Sequence, residues 1–315
     1  MKILCTGASS FTGYWFVHEL ARAGHEVVAT FRKGNADEYA DEPRRQRVAL
    51  ALRDCRGVFG CSFGDPAFVE LVGSERWDLL CHHAADVTNY RRADFDLVSA
   101  LGNNTRNVAI VLAALKANGG RPGVLITGSV FENDEGAGSE GLPAFSPYGL
   151  SKSLTWQVFR YHALHAGLAL GKFVIPNPFG PFEDPRFTAY LIKTWLTGNT
   201  AVVNTPSYVR DNIHVSLLAK AYASFAAVLP SNGLVRLNPS GYVESQGAFA
   251  LRVAAEMRLR LGSTCAVTLN TQVEFTEPRM RINTDFVDGA RQGWNEAGAW
   301  DEFANYYKVP PQPAT

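Results

Sequence analysis

The chain has 315 residues, 46% hydrophobic and 19% charged, with 30 Lys and Arg balancing 30 Asp and Glu. It is long and apolar enough for a large buried core, and the balanced charge excludes a global field that would draw it to nucleic acid or to an acidic membrane. Five cysteines (Cys5, Cys55, Cys61, Cys81, Cys265) with no C-x-x-C pair argue against a disulfide framework or a structural zinc site. There is also no leader-like N-terminus and no apolar run of about 18 residues, so the expectation is a cytoplasmic protein with reduced thiols.

In chain order, Met1 to Cys5 is a short apolar run ending in Thr6-Gly7-Ala8-Ser9-Ser10-Phe11-Thr12-Gly13. Apolar-periodic residues follow from Tyr14 to Ala23, then Gly24. This reads as strand, glycine-containing turn, helix and C-cap. Such a turn lets a diphosphate approach the backbone while the first N–H groups of the helix point at its charge. A G-x-x-G-x-x-G form would place glycines at 7, 10 and 13. Ser10 replaces the middle one, and it should crowd the backbone slightly or offer its hydroxyl to a phosphate.

His25 to Phe31 reads as a second strand ending at Arg32 and Lys33. An acidic residue at this place suits a ribose diol and an arginine suits a 2′-phosphate, so NADP(H) is favoured, with NAD(H) still open. Residues 34–56 carry many charges, Gly57 to Phe63 read as a short strand, and Asp65-Pro66 as an N-cap with Pro at N1. Trp77 to Ala85 is a further strand, followed by one helical pattern from about Asp94 to Asn118 and a strand at Gly123 to Ile126. Alternating strands and helices predict an α/β fold with a doubly wound parallel sheet, its ligand at the carboxyl strand ends near Gly7, Arg32, Ala84 and Thr127. His82 and His83 have no partner at metal-ligand spacing.

The stretch Ser146-Pro147-Tyr148-Gly149-Leu150-Ser151-Lys152 puts Tyr148 and Lys152 four residues apart at a helix entrance, on one face. An ammonium near a phenol favours the phenolate, which makes the pair a candidate proton-transfer device. Further on, Phe187 to Thr197 reads as a helix, Val202-Val203 as a strand, Asn212 to Leu229 as a helix entered from a strand, and Gly233 to Leu237 as a strand. Ser245 to Leu261 is an amphipathic helix, Trp294 to Tyr307 a closing helix, and Val309 to Pro313 a frayed tail.

Taken together and in this order, Thr6-Gly7-x5-Gly13, His82-His83-Ala84-Ala85, Asn104, Thr127 four residues before Phe131, Tyr148-x3-Lys152, Asn177-Pro178-Phe179-Gly180-Pro181 and Arg210-Asp211-Asn212-Ile213-His214-Val215 resemble the extended short-chain dehydrogenase/reductase family, over nearly the whole chain. The group comprises NAD(P)-dependent nucleotide-sugar epimerases, dehydratases and ketoreductases. The resemblance implies a Rossmann domain over 1–182, with later returns near 205–240, and a smaller C-terminal α/β substrate-binding lid over 183–315.

By the same resemblance, Tyr148 is the acid/base, Lys152 lowers its pKa and bonds the nicotinamide ribose, and Thr127 orients the substrate oxygen, with Ser129 a rival for that role. Gly7, Ser9, Ser10, Phe11, Thr12, Gly13, Arg32, Lys33, Ser62, Ala84, Ala85, Asn104 and Pro176 would line the cofactor, and Asn177 and Arg210 the nucleotide sugar. Asn104 is alternatively a helix-surface amide, and Arg210 alternatively one side of a surface ion pair.

Three departures from the family are Ser10 for glycine, Ser62 where relatives often have aspartate, and Phe131 for the tyrosine of V-Y-G. In addition, Gly128 and Ser129 replace the acidic pair of the dehydratases, which argues against a 4,6-dehydratase. The expected activity is NADP(H)-dependent reduction of a keto group on a nucleotide-linked sugar. An NAD(P)-dependent epimerase with transient oxidation is the alternative, and a non-catalytic dinucleotide sensor a third reading. A homodimer is expected from the resemblance.

Overall fold

A computed structural model of the chain describes residues 1–90, 92–229 and 233–308. Chain order runs β1 (Lys2–Thr6), α1 (Phe11–Arg22), β2 (Glu26–Thr30), α2 (Glu42–Asp54), β3 (Arg56–Val58), α3 (Pro66–Ser74), β4 (Leu79–His82), α4 (Leu97–Asn104), α5 (Val108–Ala117) and β5 (Gly123–Ser129). Then come β6 (Ala137–Gly138), α6 (Pro147–Ala166), β7 (Ala169–Ile175), β8 (Asn177–Phe179), α7 (Phe187–Leu196), β9 (Ala201–Val203), β10 (Val209–His214), α8 (Val215–Val228) and β11 (Leu234–Leu237). The chain closes with β12 (Pro239–Ser240), β13 (Tyr242–Ser245), α9 (Gln246–Leu261), β14 (Val267–Leu269), β15 (Met280–Ile282), β16 (Asp285–Phe286) and α10 (Glu296–Lys308).

Seven strands form one parallel sheet in the order β11-β7-β5-β4-β1-β2-β3. The expected doubly wound α/β fold is therefore present. Its central strands are buried on both faces, as a parallel sheet between helical layers requires. On one face Phe16, Val17 and Leu20 of α1 and Leu218, Tyr222 and Ala226 of α8 cover Ile3, Ala29 and Leu125. On the other, Phe68 of α3, Val111 and Leu115 of α5 and Phe159 of α6 cover Leu4, Val124 and Ile126.

A separate cluster joins α7, α9 and α10 through Ile192, Trp195, Phe249, Met257, Trp300 and Phe303, with Phe179 of β8 at its edge. A mixed sheet, β13-β10-β15-β6 with β8 beside β10, runs between this cluster and the main sheet. Two buried polar groups tie it down: the Asp211 carboxylate accepts the Gly241 and Asn283 N–H groups, and Asn283 Nδ2 donates to the carbonyls of Val174 at 2.7 Å and Pro239 at 2.9 Å.

Several local readings need correction. The helix expected over 94–118 is two helices. Asn107 sits at φ 52° and its Nδ2 donates to Gly64 O at 2.8 Å, while the Arg106 carbonyl presses on Gly64, where a Cβ would stand 2.0 Å from it. The charged stretch 34–56 holds α2, capped by Asp41, whose carboxylate accepts the Arg44 N–H at 3.1 Å. The strand read over 57–63 is only Arg56–Val58, and β7 was not read at all. The strand before α8 extends to His214, so that helix starts at Val215. The tail from Val309 lies outside the described residues. Among those residues no helix is long and apolar enough to cross a membrane.

Candidate active site

The site begins with the turn between β1 and α1. Gly7 stands at φ +81°, and a Cβ on it would meet Ala84 N at 2.7 Å; a Cβ on Gly13 would fall 2.1 Å from Gly7 O. Only glycine fits either place. Ser10 is the N-cap of α1: its Oγ accepts the Gly13 N–H at 3.1 Å and donates to Gly7 O at 2.9 Å. Its hydroxyl therefore faces inward.

The reason lies in His83. Its Nε2 stands 3.0 Å from Ser10 Oγ and 2.9 Å from Thr12 Oγ1, and its Nδ1 is 2.8 Å from Thr127 Oγ1. Burial, with the Lys152 charge adding to it, pushes the imidazole down to about 3, so the ring is neutral, with one nitrogen donating and the other accepting. The turn and β5 are joined through one histidine. His82 meets Thr6 Oγ1 at 3.0 Å and the Asn104 carbonyl at 3.2 Å. Thr6 Oγ1 also accepts the His83 and Ala84 N–H groups, which holds the strand ends together.

Asn104 is buried and is not a helix-surface amide: its Oδ1 accepts the Asp86 N–H at 2.8 Å. Arg32 is exposed and Lys33 half-buried at the end of β2, with Ser62 half-buried nearby in sequence after β3. Asp86 lies within the field of Arg32. Burial opposes the Asp86 charge, but hydrogen bonds from Thr88 and Asn103, with Arg32 adding to them, outweigh it and hold the carboxyl below its ordinary value.

Helix α6 enters through Ser146, whose Oγ accepts the Gly149 N–H at 3.1 Å, and Pro147 fills its first turn. Tyr148 and Lys152 follow on one face. Lys152 is 6% exposed, and its Nζ donates to the Thr127 carbonyl at 2.6 Å. Burial lowers its pKa to about 8, with Glu132 opposing that fall and Lys172 adding to it. The Tyr148 ring packs 5.1 Å from Tyr90 and 6.3 Å from Phe95, centroid to centroid. Burial first, then Glu132 and Tyr90, push its phenol above the ordinary value. In the protein alone, one N–H of the Lys152 ammonium is held by the Thr127 carbonyl.

Thr127 and Ser129 point to the same side of β5. Thr127 is 2% exposed and committed to His83; Ser129 is the last residue of the strand, 8% exposed, and its Oγ accepts the Phe131 N–H at 3.3 Å. Arg210 is on β10. It pairs with Glu277 at 2.9 Å, lies 4.5 Å over the Tyr208 ring and donates to the carbonyls of Val209 and Pro278. Asn177 sits on β8 in register with Asn212, and Pro176 is buried just before it.

Sequence reading missed one part of this centre, the buried carboxylate of Glu132 with Lys172 beside it. The signal was available: a lysine in the middle of the apolar run Ala169–Ile175 demands a buried partner.

A sequence model described as "NAD dependent epimerase/dehydratase family" matches residues 3–233, well over half of the chain. The chain belongs to that family. It is an enzyme of the NAD-dependent oxidoreductase and epimerase kind, and the extended short-chain dehydrogenase/reductase resemblance is correct. A comparison with curated proteins found no significant match.

Among solved structures, it is similar to the UDP-glucose 4-epimerase of Thermotoga maritima with UDP-glucose (18% identical, 98% of this chain and 99% of that one covered, TM-score 0.71). It is similar also to the UDP-glucuronic acid 4-epimerase of Bacillus cereus with UDP-glucuronic acid and NAD (16%, 98% and 99%, 0.70). A third is the UDP-glucose 4-epimerase of Thermus thermophilus with NAD (18%, 98% and 99%, 0.70). At these identities the likeness speaks for the fold of this family member.

Proposed function

We propose that this family member is an NAD-dependent epimerase of a UDP-linked sugar, which oxidises a ring hydroxyl transiently and reduces the resulting ketone from the other side. The observation that carries the reading is the Tyr148 and Lys152 pair, on one face of α6 with Lys152 bonded to β5, beside the carboxyl ends of β1 and β4 where Gly7 and Ala84 touch. The bound NAD of two structural neighbours and the UDP-sugars of two support cofactor and substrate. This reverses the order set by Arg32 and Lys33, which put net NADP(H)-dependent reduction first.

The residues present fit a dinucleotide: the glycine approach at Gly7 and Gly13 leaves a backbone cradle that a Cβ would fill. When bound, the nicotinamide supplies the hydride acceptor and then the donor. Tyr148 takes the hydroxyl proton of the sugar as the ketone forms and returns it as the ketone is reduced. The Lys152 ammonium offers the remaining N–H groups to the ribose and its charge to the phenolate. Ser129 bonds the reacting oxygen, because Thr127 is committed to His83. Elimination is disfavoured: Gly128 carries no acid, and the nearby Glu132 is bound by Lys172 and the Ser129 N–H.

Purified protein incubated with UDP-glucose or UDP-glucuronic acid should form the C4 epimer, followed by NMR, with no net change in absorbance at 340 nm. Stoichiometric NADPH consumption with a keto sugar, and no epimer, would restore the reductase reading. Within the site, Ser129→Ala should lower kcat by about 10–100-fold, the scale of one lost charge-assisted hydrogen bond. Thr127→Val should change it less than Ser129→Ala does; the opposite ranking assigns the oxygen contact to Thr127. A homodimer is supported by the exposed Ile110 of α5 and Tyr161 and Leu164 of α6, on helices that pack side by side.

A further inference from the structure

The turn that follows β5 is held by a buried ion cluster. Glu132 and Lys172 side chains are 0% and 2% exposed, with Nζ to Oε2 at 2.5 Å, and Lys172 Nζ also meets Glu135 Oε1 at 2.5 Å. The second Glu132 oxygen accepts the Ser129 N–H at 2.7 Å. Glu135 in turn accepts from Asn238 Nδ2 at 3.0 Å and faces the half-exposed Arg236 at 3.4 Å.

Gly128 exists to make room: a Cβ there would lie 2.7 Å from Lys172 Cε and 2.9 Å from Glu132 Oε1. On the helix side, Lys172 Nζ is 5.1 Å from the centre of the Trp156 ring, one turn past Lys152 and two past Tyr148 on the same face. The turn is also bolted to α6. The Asn133 N–H donates to Ser153 Oγ at 2.8 Å, and Gly149 is so close to the Phe131 carbonyl that a Cβ would stand 2.2 Å from it.

We propose that Glu132 is a positioning residue for the proton-transfer pair: paired with Lys172 and capping the Ser129 N–H, it fixes the strand-end turn against α6 and supplies the local negative charge that Lys152 and Tyr148 experience. The inference rests on the reading of those two residues given above. Lys152 is faced by Glu132, Lys172, His82 and His83, and Tyr148 by Glu132, Tyr90 and Arg186. Around Glu132 itself stand Lys172 of β7, Lys152 of α6, Glu135 of its own loop and the Arg281 guanidinium of β15, which donates to the Glu132 carbonyl. Both assisted groups respond in one direction: a carboxylate favours the ammonium and disfavours the phenolate, so its removal lowers both pKa values.

Glu132→Gln keeps the shape and the acceptor for Ser129 and removes the charge. Both limbs of the pH profile of UDP-glucose turnover with NAD should move to lower pH, by about one unit. The pH at which NADH affinity falls, read by fluorescence of the bound dinucleotide, should move the same way. Adding Lys172→Met removes the opposing charge, so the double variant should return toward the wild-type profile. A lower kcat with both limbs unmoved overturns the proposal, and so does failure of both variants to fold, which would make the cluster a structural brace only. If instead Tyr148→Phe keeps full turnover, the functional reading itself fails; loss of turnover in Tyr148→Phe with unmoved limbs in Glu132→Gln removes this inference alone.

Discussion

Tyr148→Phe is expected to lower kcat by about 10²–10⁴-fold, the range of a lost general acid/base, while NADH and UDP-glucose affinities stay within a few-fold of wild type. The substitution deletes one oxygen and leaves the ring packed against Tyr90 and Phe95. A loss confined to kcat identifies an interaction made only as the proton moves; a loss confined to KM would reduce Tyr148 to a wall of the sugar site. Pre-steady-state measurement sharpens the test. With the proton acceptor gone, UDP-glucose should no longer reduce bound NAD, so the 340 nm transient should vanish together with turnover.

The second large effect belongs to Gly13→Ala. The added methyl would stand 2.1 Å from Gly7 O and 2.7 Å from Ser10 Oγ, and the first contact is with backbone that has nowhere to retreat. Because Ser10 is shared by the cap of α1 and by His83, the displacement should reach β5 as well. We expect a loss of about 1–3 kcal/mol in unfolding free energy by urea, the usual range for overpacking, with at least tenfold weaker NADH binding. Gly73→Ala is the matched control: nothing lies within 4 Å of its Cβ, and in the last turn of α3 alanine should be neutral or stabilise by up to about 0.5–1 kcal/mol. Equal behaviour of the two variants would show that the turn yields.

The order of elements around the cofactor was legible because its signals are local. The apolar run of β1, two glycines and a periodic helix occupy neighbouring residues, and Tyr148 with Lys152 need only one helix turn. Helix α2 was hidden for a physical reason: few apolar residues mark its buried face, and one place on it is taken by Arg47, which donates to the Ser9 and Phe182 carbonyls. The break between α4 and α5 depends on Gly64, far back in the chain, although the polar run Gly102 to Asn107, which interrupts the apolar pattern, was a local sign of it. The contacts His83 makes, joining Thr12, Ser10 and Thr127, link residues 71, 73 and 44 positions away. Glu132 and Lys172 lie 40 positions apart, and Arg210 and Glu277 lie 67 apart. What local pattern carries was readable; pairings across the sheet were not.

Arg281 gives the last of these long pairings a meaning for how the protein comes into being. Its guanidinium is buried and donates to the carbonyls of Val130 at 2.8 Å and of Glu132, the latter 149 residues earlier in the chain. At about 5–20 residues per second, a ribosome takes roughly 7–30 s to travel from one to the other. Throughout that interval the nucleotide-binding strands can already be assembled, but the turn carrying Glu132 lacks its brace. The nascent enzyme thus acquires a place for its cofactor well before the turn beside its proton-transfer pair can take final shape, and a chain cut short before β15 would lack Arg281 altogether.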